Sequence, residues 1–303
     1  MIRGGAIGDF ILTLPAIRLI REAFPESRIE ILGYRHIVEV AEMRFYADAV
    51  RSIEYGPLAG FFHPTAELDS ELVEYFASFN QVVSYLFDPD GIFAQNLRKA
   101  GVKNLIVGPG KLDDSAHAAA QLAAPLTRLG LFLDDLGAKV FPSADDFSEL
   151  DQRHPTSGCG EFALHPGSGS EKKNWSVDRW KQLIAALRMV APTRRLVMVG
   201  GEADSARLHV LRREFGDSVS IIDSARLPVL AALFSRCAGF IGHDSGISHL
   251  AAASGARCVL MFGPTDPLVW APQNPDVQCV QSTSGRMDDI ALESVLSVVD
   301  TWN

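Results

Sequence analysis

The chain has 303 residues, 47% of them hydrophobic, enough for one large or two medium domains with substantial cores. Its 28 basic and 37 acidic side chains leave a formal charge of −9, which argues against general nucleic-acid binding. No signal-peptide pattern opens the chain and no apolar run reaches the roughly 20 residues that span a bilayer, so a soluble, cytoplasmic protein is expected.

Only Met1-Ile2-Arg3 precedes a glycine-bearing turn, Gly4-Gly5-Ala6-Ile7-Gly8-Asp9, and residues 10–23 then carry apolar side chains at helical spacing. A turn of this kind is common and by itself weak evidence, and the plainer reading of Asp9 is a helix cap. Strands are expected at 29–32, 49–53, 81–86 and 104–107, with helices near 38–43, 70–77, 92–100 and 116–129. This alternation predicts a parallel sheet with helical crossovers. Residues 141–160 are rich in Pro, Ser, Asp and Gly and are expected to link a first domain, 1–150, to a second, 151–303.

The second half repeats the alternation, with strands near 162–164, 196–199, 221–222, 239–241 and 258–261 and helices in the gaps. The expected class is therefore α/β, with two doubly wound halves in sequence. The stretch 288–302 reads as an amphipathic helix that either packs in its own domain or crosses back to brace the first. Four widely spaced cysteines, Cys159, Cys237, Cys258 and Cys279, include no C-x-x-C pair, so zinc ribbons and redox pairs are unsupported. Cys237 and Cys258 sit in apolar segments and read as core residues.

Two polar, glycine-bearing turns leave strands of the second half. His165-Pro166-Gly167-Ser168-Gly169-Ser170 leads through Lys172, Lys173, Asn174 and Trp175 into a helix at 178–190. Gly242-His243-Asp244-Ser245-Gly246-Ile247-Ser248-His249 opens an alanine-rich helix. Unpaired amides and the positive dipole end of such a helix favour an anion, and Gly246 lets a phosphate approach the backbone. In an open α/β sheet both turns lie at the carboxyl edge, where ligands bind. Lys172 or Lys173 would then meet an anion held at Ser245; the plainer reading has Asp244 or Ser245 only capping the helix.

His249 either approaches the phosphate or makes a buried polar contact, and His165 is equally ambiguous at its strand end. Thr265 with Asp266 contacts a ligand or forms a turn before Pro267. Glu202 and Asp204 follow a strand and Gly200-Gly201, where a carboxylate can hold ribose hydroxyls. Adjacent His243 and Asp244 diverge and have no further acidic cluster nearby, so no metal site is expected. Gly242-His243-Asp244-Ser245-Gly246 also lacks the G-x-S-x-G spacing of a serine hydrolase.

Taken in order, Gly8-Asp9 with Leu14-Pro15, His165-Pro166-Gly167 through Lys173-Asn174-Trp175, Asp244-Ser245-Gly246 with Ser248 to Ala253, and Phe262-Gly263-Pro264-Thr265-Asp266-Pro267 resemble glycosyltransferase family 9, the lipopolysaccharide heptosyltransferases. The resemblance covers nearly the whole chain. It implies the GT-B fold, two Rossmann-like domains facing a cleft, the first binding acceptor and the second nucleotide sugar. It also implies inverting, metal-independent transfer from a nucleotide diphosphate donor, typically ADP-heptose, to a saccharide hydroxyl.

On that resemblance Asp9 is the base on the acceptor hydroxyl and Lys173 offsets charge on the departing diphosphate. The loop of Gly5 and Gly8 lies on the acceptor side. Ser245, Gly246 and the helix amides hold phosphates, and Asp244 orients the loop or a donor hydroxyl. His165, Gly167, Ser168, Lys172, Glu202, His249 and Thr265 complete the donor set. No cofactor is implied beyond the donor substrate; the partners are the nucleotide sugar and a glycan or lipid-linked acceptor, with contact at the inner membrane face.

The chain departs from the family where a first strand of about five residues is expected and only three residues stand. Either the recorded start lies downstream of the true one, or the fold tolerates a stub, which would hold Asp9 less firmly. Residues 1–150 carry 13 basic and 21 acidic side chains, an unpromising balance for an anionic lipopolysaccharide core unless Arg18, Arg21, Arg35, Arg44 and Arg51 cluster. The rival readings are a nucleotide-sugar-binding protein without transfer activity and a nucleotide-sugar epimerase of the same architecture.

Overall fold

The computed structural model describes residues 1–155 and 160–302; Cys159 lies outside them. The chain forms two compact units, Met1–Leu136 and Gly137–Asn303.

The first unit contains α1 (Ile7–Ala23), β1 (Glu30–Gly33), α2 (Arg35–Val38), β2 (Ala49–Ser52), α3 (Ser70–Ala77), β3 (Val82–Ser84), α4 (Ile92–Lys99), β4 (Leu105–Val107) and α5 (Ala118–Ala123). β1 pairs in parallel with β2, and β3 with β4. Between these pairs lies Ile2, bridged in parallel to Leu32 on one side and Ser84 on the other. Four backbone bonds hold the stub: Ile2 N–H to Val83 O at 2.8 Å, Tyr85 N–H to Ile2 O at 2.9 Å, Arg3 N–H to Leu32 O at 2.9 Å and Leu32 N–H to Met1 O at 2.9 Å. The order β2, β1, Ile2, β3, β4 puts the first strand at the centre, as in a Rossmann half. Ile2 is buried among Leu32, Phe76, Val82, Phe93 and Leu97.

Expectation and structure differ at 116–129, where α5 stops at Ala123 and a 3₁₀ turn continues over Ala124–Leu129. Pro125, lacking an N–H, cannot extend the α-helical ladder.

The second unit contains α6 (Ala144–Arg153), β5 (Phe162–His165), α7 (Val177–Val190), β6 (Leu196–Gly200), α8 (Ser205–Phe215), β7 (Val219–Asp223), α9 (Leu227–Arg236), β8 (Gly239–His243), α10 (Gly246–Ala253), β9 (Cys258–Phe262), α11 (Pro267–Trp270), β10 (Val277–Gln281) and α12 (Leu292–Val299). Six parallel strands run in the order β10-β9-β8-β5-β6-β7. This is the doubly wound order in which the chain leaves the centre in one direction and returns to build the other. β5 is central, and the direction changes between β5 and β8.

Residues 144–153, expected as part of a linker, are instead helix α6, begun by Ser143, whose hydroxyl accepts from Asp146 N–H while Asp146 accepts from Ser143 N–H. This reciprocal cap overrides the loop-like composition. α6 belongs to the second unit, packed on α9, and the division between units falls upstream of it.

β10 was not anticipated: it is an edge strand with mostly exposed residues and so carries no apolar run. The stretch expected as one terminal helix is a 3₁₀ turn over Met287–Asp289, α12, and a second 3₁₀ turn over Asp300–Trp302. α12 packs on α7, β9 and β10 of its own unit. The Trp302 ring covers Gly239, where an added Cβ would lie 2.2 Å from it, and sits 5.7 Å from the Phe162 ring. The core under the sheet is formed by Phe162, Leu164, Trp175, Trp180, Leu183, Ile184 and Met261, among others.

Candidate functional site

β5 and β8 lie side by side, with His165 in register with Gly242, so the loops that leave them open at the point where strand order reverses. This is where an open α/β sheet leaves a crevice for a ligand, because the two loops diverge to opposite faces.

After β5 the chain runs through Gly167 and Ser168 to a 3₁₀ turn, Glu171–Lys173. Ser168 Oγ donates to Ser170 O at 2.8 Å and folds the loop on itself. Lys173 Nζ reaches across to Asp244, 2.6 Å from Oδ2. Thr265, after β9, donates to the same oxygen at 2.8 Å. Three loops thus meet on one buried carboxylate.

Ser245 caps α10, accepting from Ser248 N–H at 3.2 Å, and Gly246 is the first residue of the helix. Ser245 Oγ also lies 3.2 Å from His165 Nδ1, and His165 Nε2 lies 3.4 Å from Asp204 Oδ2. Asp204 further accepts from Gly201 N–H at 3.0 Å. Burial pushes the Asp204 carboxyl up, but hydrogen bonds from His165 and Gly201, with the charges of His165 and Arg207, outweigh it and hold the group below its ordinary range.

His243 and Arg207 are the residues whose roles the sequence did not reveal. His243 Nε2 accepts from Trp175 N–H at 3.0 Å, which places its proton on Nδ1, 3.3 Å from Gly167 O. One imidazole therefore ties both ends of the lysine-bearing loop to the end of β8. Complete burial, aided by the neighbouring charge of His165, lowers its pKa to about 3 and keeps it neutral. Arg207 on α8 donates to Trp175 O at 3.0 Å and to Glu171 Oε2 at 2.6 Å, bracing the loop from the other face. A histidine ending a strand and an arginine in the first turn of a helix give no local signal; both act on a loop some 30 to 70 residues away in sequence.

The other expected donor residues are placed less centrally. His249 is buried on α10. Glu202 is exposed in the turn after β6, while its neighbour Asp204 reaches the His165 ring. Lys172 lines a cavity of about 330 Å³ together with Asn174, Pro264, Arg286 and Asp288.

In the first unit Asp9 stands in the first turn of α1, with Gly8 beside it. Its Oδ2 accepts from Ala6 N–H at 2.8 Å and its Oδ1 pairs with Arg3 at 3.2 Å. Gly5 takes φ +94°, and a Cβ there would lie 2.6 Å from Asp9 Oδ2. Only glycine at this position lets the turn close on the carboxylate. Arg3 is buried and also donates to Tyr85 O at 3.2 Å, so it ties Asp9 to the end of β3. A cavity of about 790 Å³ lies at the opposite, amino ends of the strands beside Met1, Glu30 and Gln81.

The model of glycosyltransferase family 9 (heptosyltransferase) matches residues 135–298, more than half of the chain. The chain belongs to that family. It is similar to lipopolysaccharide heptosyltransferase 3 of Escherichia coli K12, 22% identical over 288 residues, 89% of this chain and 83% of that one. A family 9 glycosyltransferase structure from Veillonella parvula superposes with a TM-score of 0.79 at 18% identity, covering 99% of this chain and 95% of that one. The E. coli heptosyltransferase WaaC with ADP gives 0.74 at 14% identity over 100% and 98%. The fold of this family 9 member is thus the GT-B fold of two Rossmann-like units.

Proposed function

We propose that this family 9 glycosyltransferase moves a sugar, heptose from ADP-heptose, to a hydroxyl of a lipopolysaccharide core or related glycan with inversion at the anomeric carbon. The observation that carries the reading is the meeting of Lys173, Thr265 and the capped start of α10 on Asp244 and Ser245, at the strand-order reversal of the second unit. A cation, hydroxyls and a helix amino terminus converge where a diphosphate needs them. ADP in WaaC and the lipopolysaccharide acceptor in the name of the E. coli relative support the choice of donor and acceptor.

In this reading the Asp9 carboxylate takes the proton of the acceptor hydroxyl as its oxygen bonds to the anomeric carbon. The bond from that carbon to the diphosphate breaks on the opposite face, and ADP leaves with its charge met by Lys173 and the α10 terminus. Lys173 does the work a divalent cation does elsewhere, so transfer proceeds without metal. No helix among the described residues is long and apolar enough to cross a membrane, and the enzyme is proposed to meet its acceptor peripherally, at the cytoplasmic face.

The test is calorimetric titration with ADP-, UDP- and GDP-sugars in the presence of chelator, with Lys173→Ala alongside, followed by product analysis with and without acceptor. Selective ADP-sugar binding weakened in the variant, and transfer only when acceptor is present, are expected. A folded protein that binds none of the panel overturns the reading.

A further inference from the structure

Asp9 is tied to the loop that leaves β3. Its partner Arg3 donates to Tyr85 O at 3.2 Å, and the Leu86 side chain packs on Gly4, where an added Cβ would lie 3.0 Å from it. The backbone of the next residue, Phe87, is fixed from both sides. The loop after β4 crosses it so closely that a Cβ at Gly110 would lie 2.6 Å from Phe87 Cα. Asp88, which follows, is fastened to the start of α4, accepting from Phe93 N–H at 3.1 Å and Ala94 N–H at 2.9 Å. Yet Phe87 itself is 68% exposed. A large apolar ring on a fixed backbone, next to the turn that carries the proposed base, offers a flat and preformed face to a substrate.

The charges around that ring disfavour an anion. The loops that carry and cover Phe87, between β3 and α4 and between β4 and α5, hold Asp88, Asp90, Asp113 and Asp114 against Lys111. The five arginines from which a basic patch would have to be built are each engaged within the unit. Arg18 pairs with Asp135 at 3.0 Å, Arg21 with Asp48 at 2.8 Å and Arg35 with Glu42 at 2.8 Å. Arg44 donates to the carbonyls of Glu39 and Glu42, and Arg51 lies over the Tyr75 ring, 3.5 Å from Glu30. A phosphate or carboxylate would recruit one of them only by displacing an oxygen acceptor that then stands beside it.

We infer that the acceptor lays the C–H face of a sugar ring on Phe87, and that the sugar presented to Asp9 is uncharged, carrying neither phosphate nor carboxylate. The inference deepens the transfer reading above and rests on it. The C–H bonds of a pyranose are weakly positive and meet the negative face of the aromatic ring, which attracts them and repels an anion. The loop carboxylates are acceptors only, so they suit hydroxyl donors and oppose a second negative charge. Stacking fixes the plane of the sugar and leaves its hydroxyls free at the rim, where one is open to the base.

The test is steady-state transfer from ADP-heptose to lipopolysaccharide core oligosaccharides truncated sugar by sugar, each used as isolated and after removal of phosphates and reduction of carboxylates. The neutral form of the accepted oligosaccharide should have a KM about fivefold or more below that of its anionic parent, with the gap narrowing as salt is raised. Phe87→Ala and Phe87→Leu should raise the neutral acceptor's KM roughly 3- to 10-fold, with donor affinity and melting temperature unchanged, and Phe87→Trp should restore it. An anionic parent that is the better acceptor, or a KM indifferent to Phe87→Ala, overturns the inference and leaves the donor site standing. Transfer to no member of the panel by protein that binds ADP-heptose does the same. Failure of folded wild type to bind ADP-heptose removes the transfer reading and the inference with it.

Discussion

Lys173 Nζ and Asp244 Oδ2 stand 2.6 Å apart, with the Asp244 side chain 8% exposed and Lys173 30%. The pair joins two loops that the chain separates by 71 residues and leaves the lysine partly open to a ligand. Replacing Lys173 by Ala removes the cation and leaves Asp244 with Thr265 as its remaining side-chain partner. ADP-sugar affinity should fall about 10- to 100-fold, because one charge-assisted contact is lost. Calorimetry reads the change directly; affinity within twofold of wild type would remove Lys173 from the donor site.

His243 predicts a pH dependence of stability. Its folded pKa is lowered to about 3 from an ordinary 6.5, by burial first. The unfolded chain therefore binds more protons between those values, so this contribution is complete above about pH 6.5 and is lost as pH falls toward 3. Melting temperature should drop through this window, and His243→Gln should flatten the drop by about one proton. His243→Ala should instead lower stability at pH 7.5 by about 1–3 kcal/mol, since the buried Trp175 N–H loses its acceptor.

Gly167 and Gly169 lie two residues apart and should respond differently to alanine. A Cβ at Gly167 would fall 1.6 Å from Asp204 Oδ1, whereas one at Gly169 meets nothing within 4 Å. Gly167→Ala must displace Asp204 from His165 and from Gly201 N–H, costing about 1–3 kcal/mol by overpacking and weakening donor binding. Gly169→Ala should be close to neutral in both. Thermal denaturation and calorimetry on the two variants provide the comparison, and equal behaviour would contradict the Asp204 arrangement.

Asp9→Asn keeps an oxygen to accept from Ala6 N–H, so the turn should hold while the base is lost. Turnover should fall at least 10²-fold with donor affinity unchanged. Single-turnover transfer beside donor titration separates these effects. A variant with near-wild-type turnover would take the base away from Asp9.

The alternation of short apolar runs with helical spacing was sufficient to read two doubly wound halves. Parallel strands buried on both faces need such runs, and the connections between them need helices. The residues of the proposed donor site are likewise visible as polar, glycine-bearing turns after strands, since a turn that must pass close to a ligand excludes most side chains. Helix α6 shows the limit of reading composition, because 144–153 looked like a linker and was decided by one reciprocal cap, Ser143 with Asp146. Edge strand β10 escaped for the opposite reason: lying at the border of the sheet, it needs no continuous apolar run.

Sequence by itself determined the fold class, the family resemblance and the residue types of the proposed diphosphate site, because these depend on local spacing and on motifs of a few consecutive residues. Only the tertiary structure decided the pairings, since strand order alone brings residues far apart in the chain to one edge. It joined Lys173 to Asp244, set His165 between Asp204 and Ser245, and gave His243 both ends of the loop from Gly167 to Trp175. It also placed Ile2, by parallel bridges to Leu32 and Ser84, between β1 and β3. A strand at the centre draws its hydrogen bonds from both neighbours, and β1 and β3 were already in place to supply them.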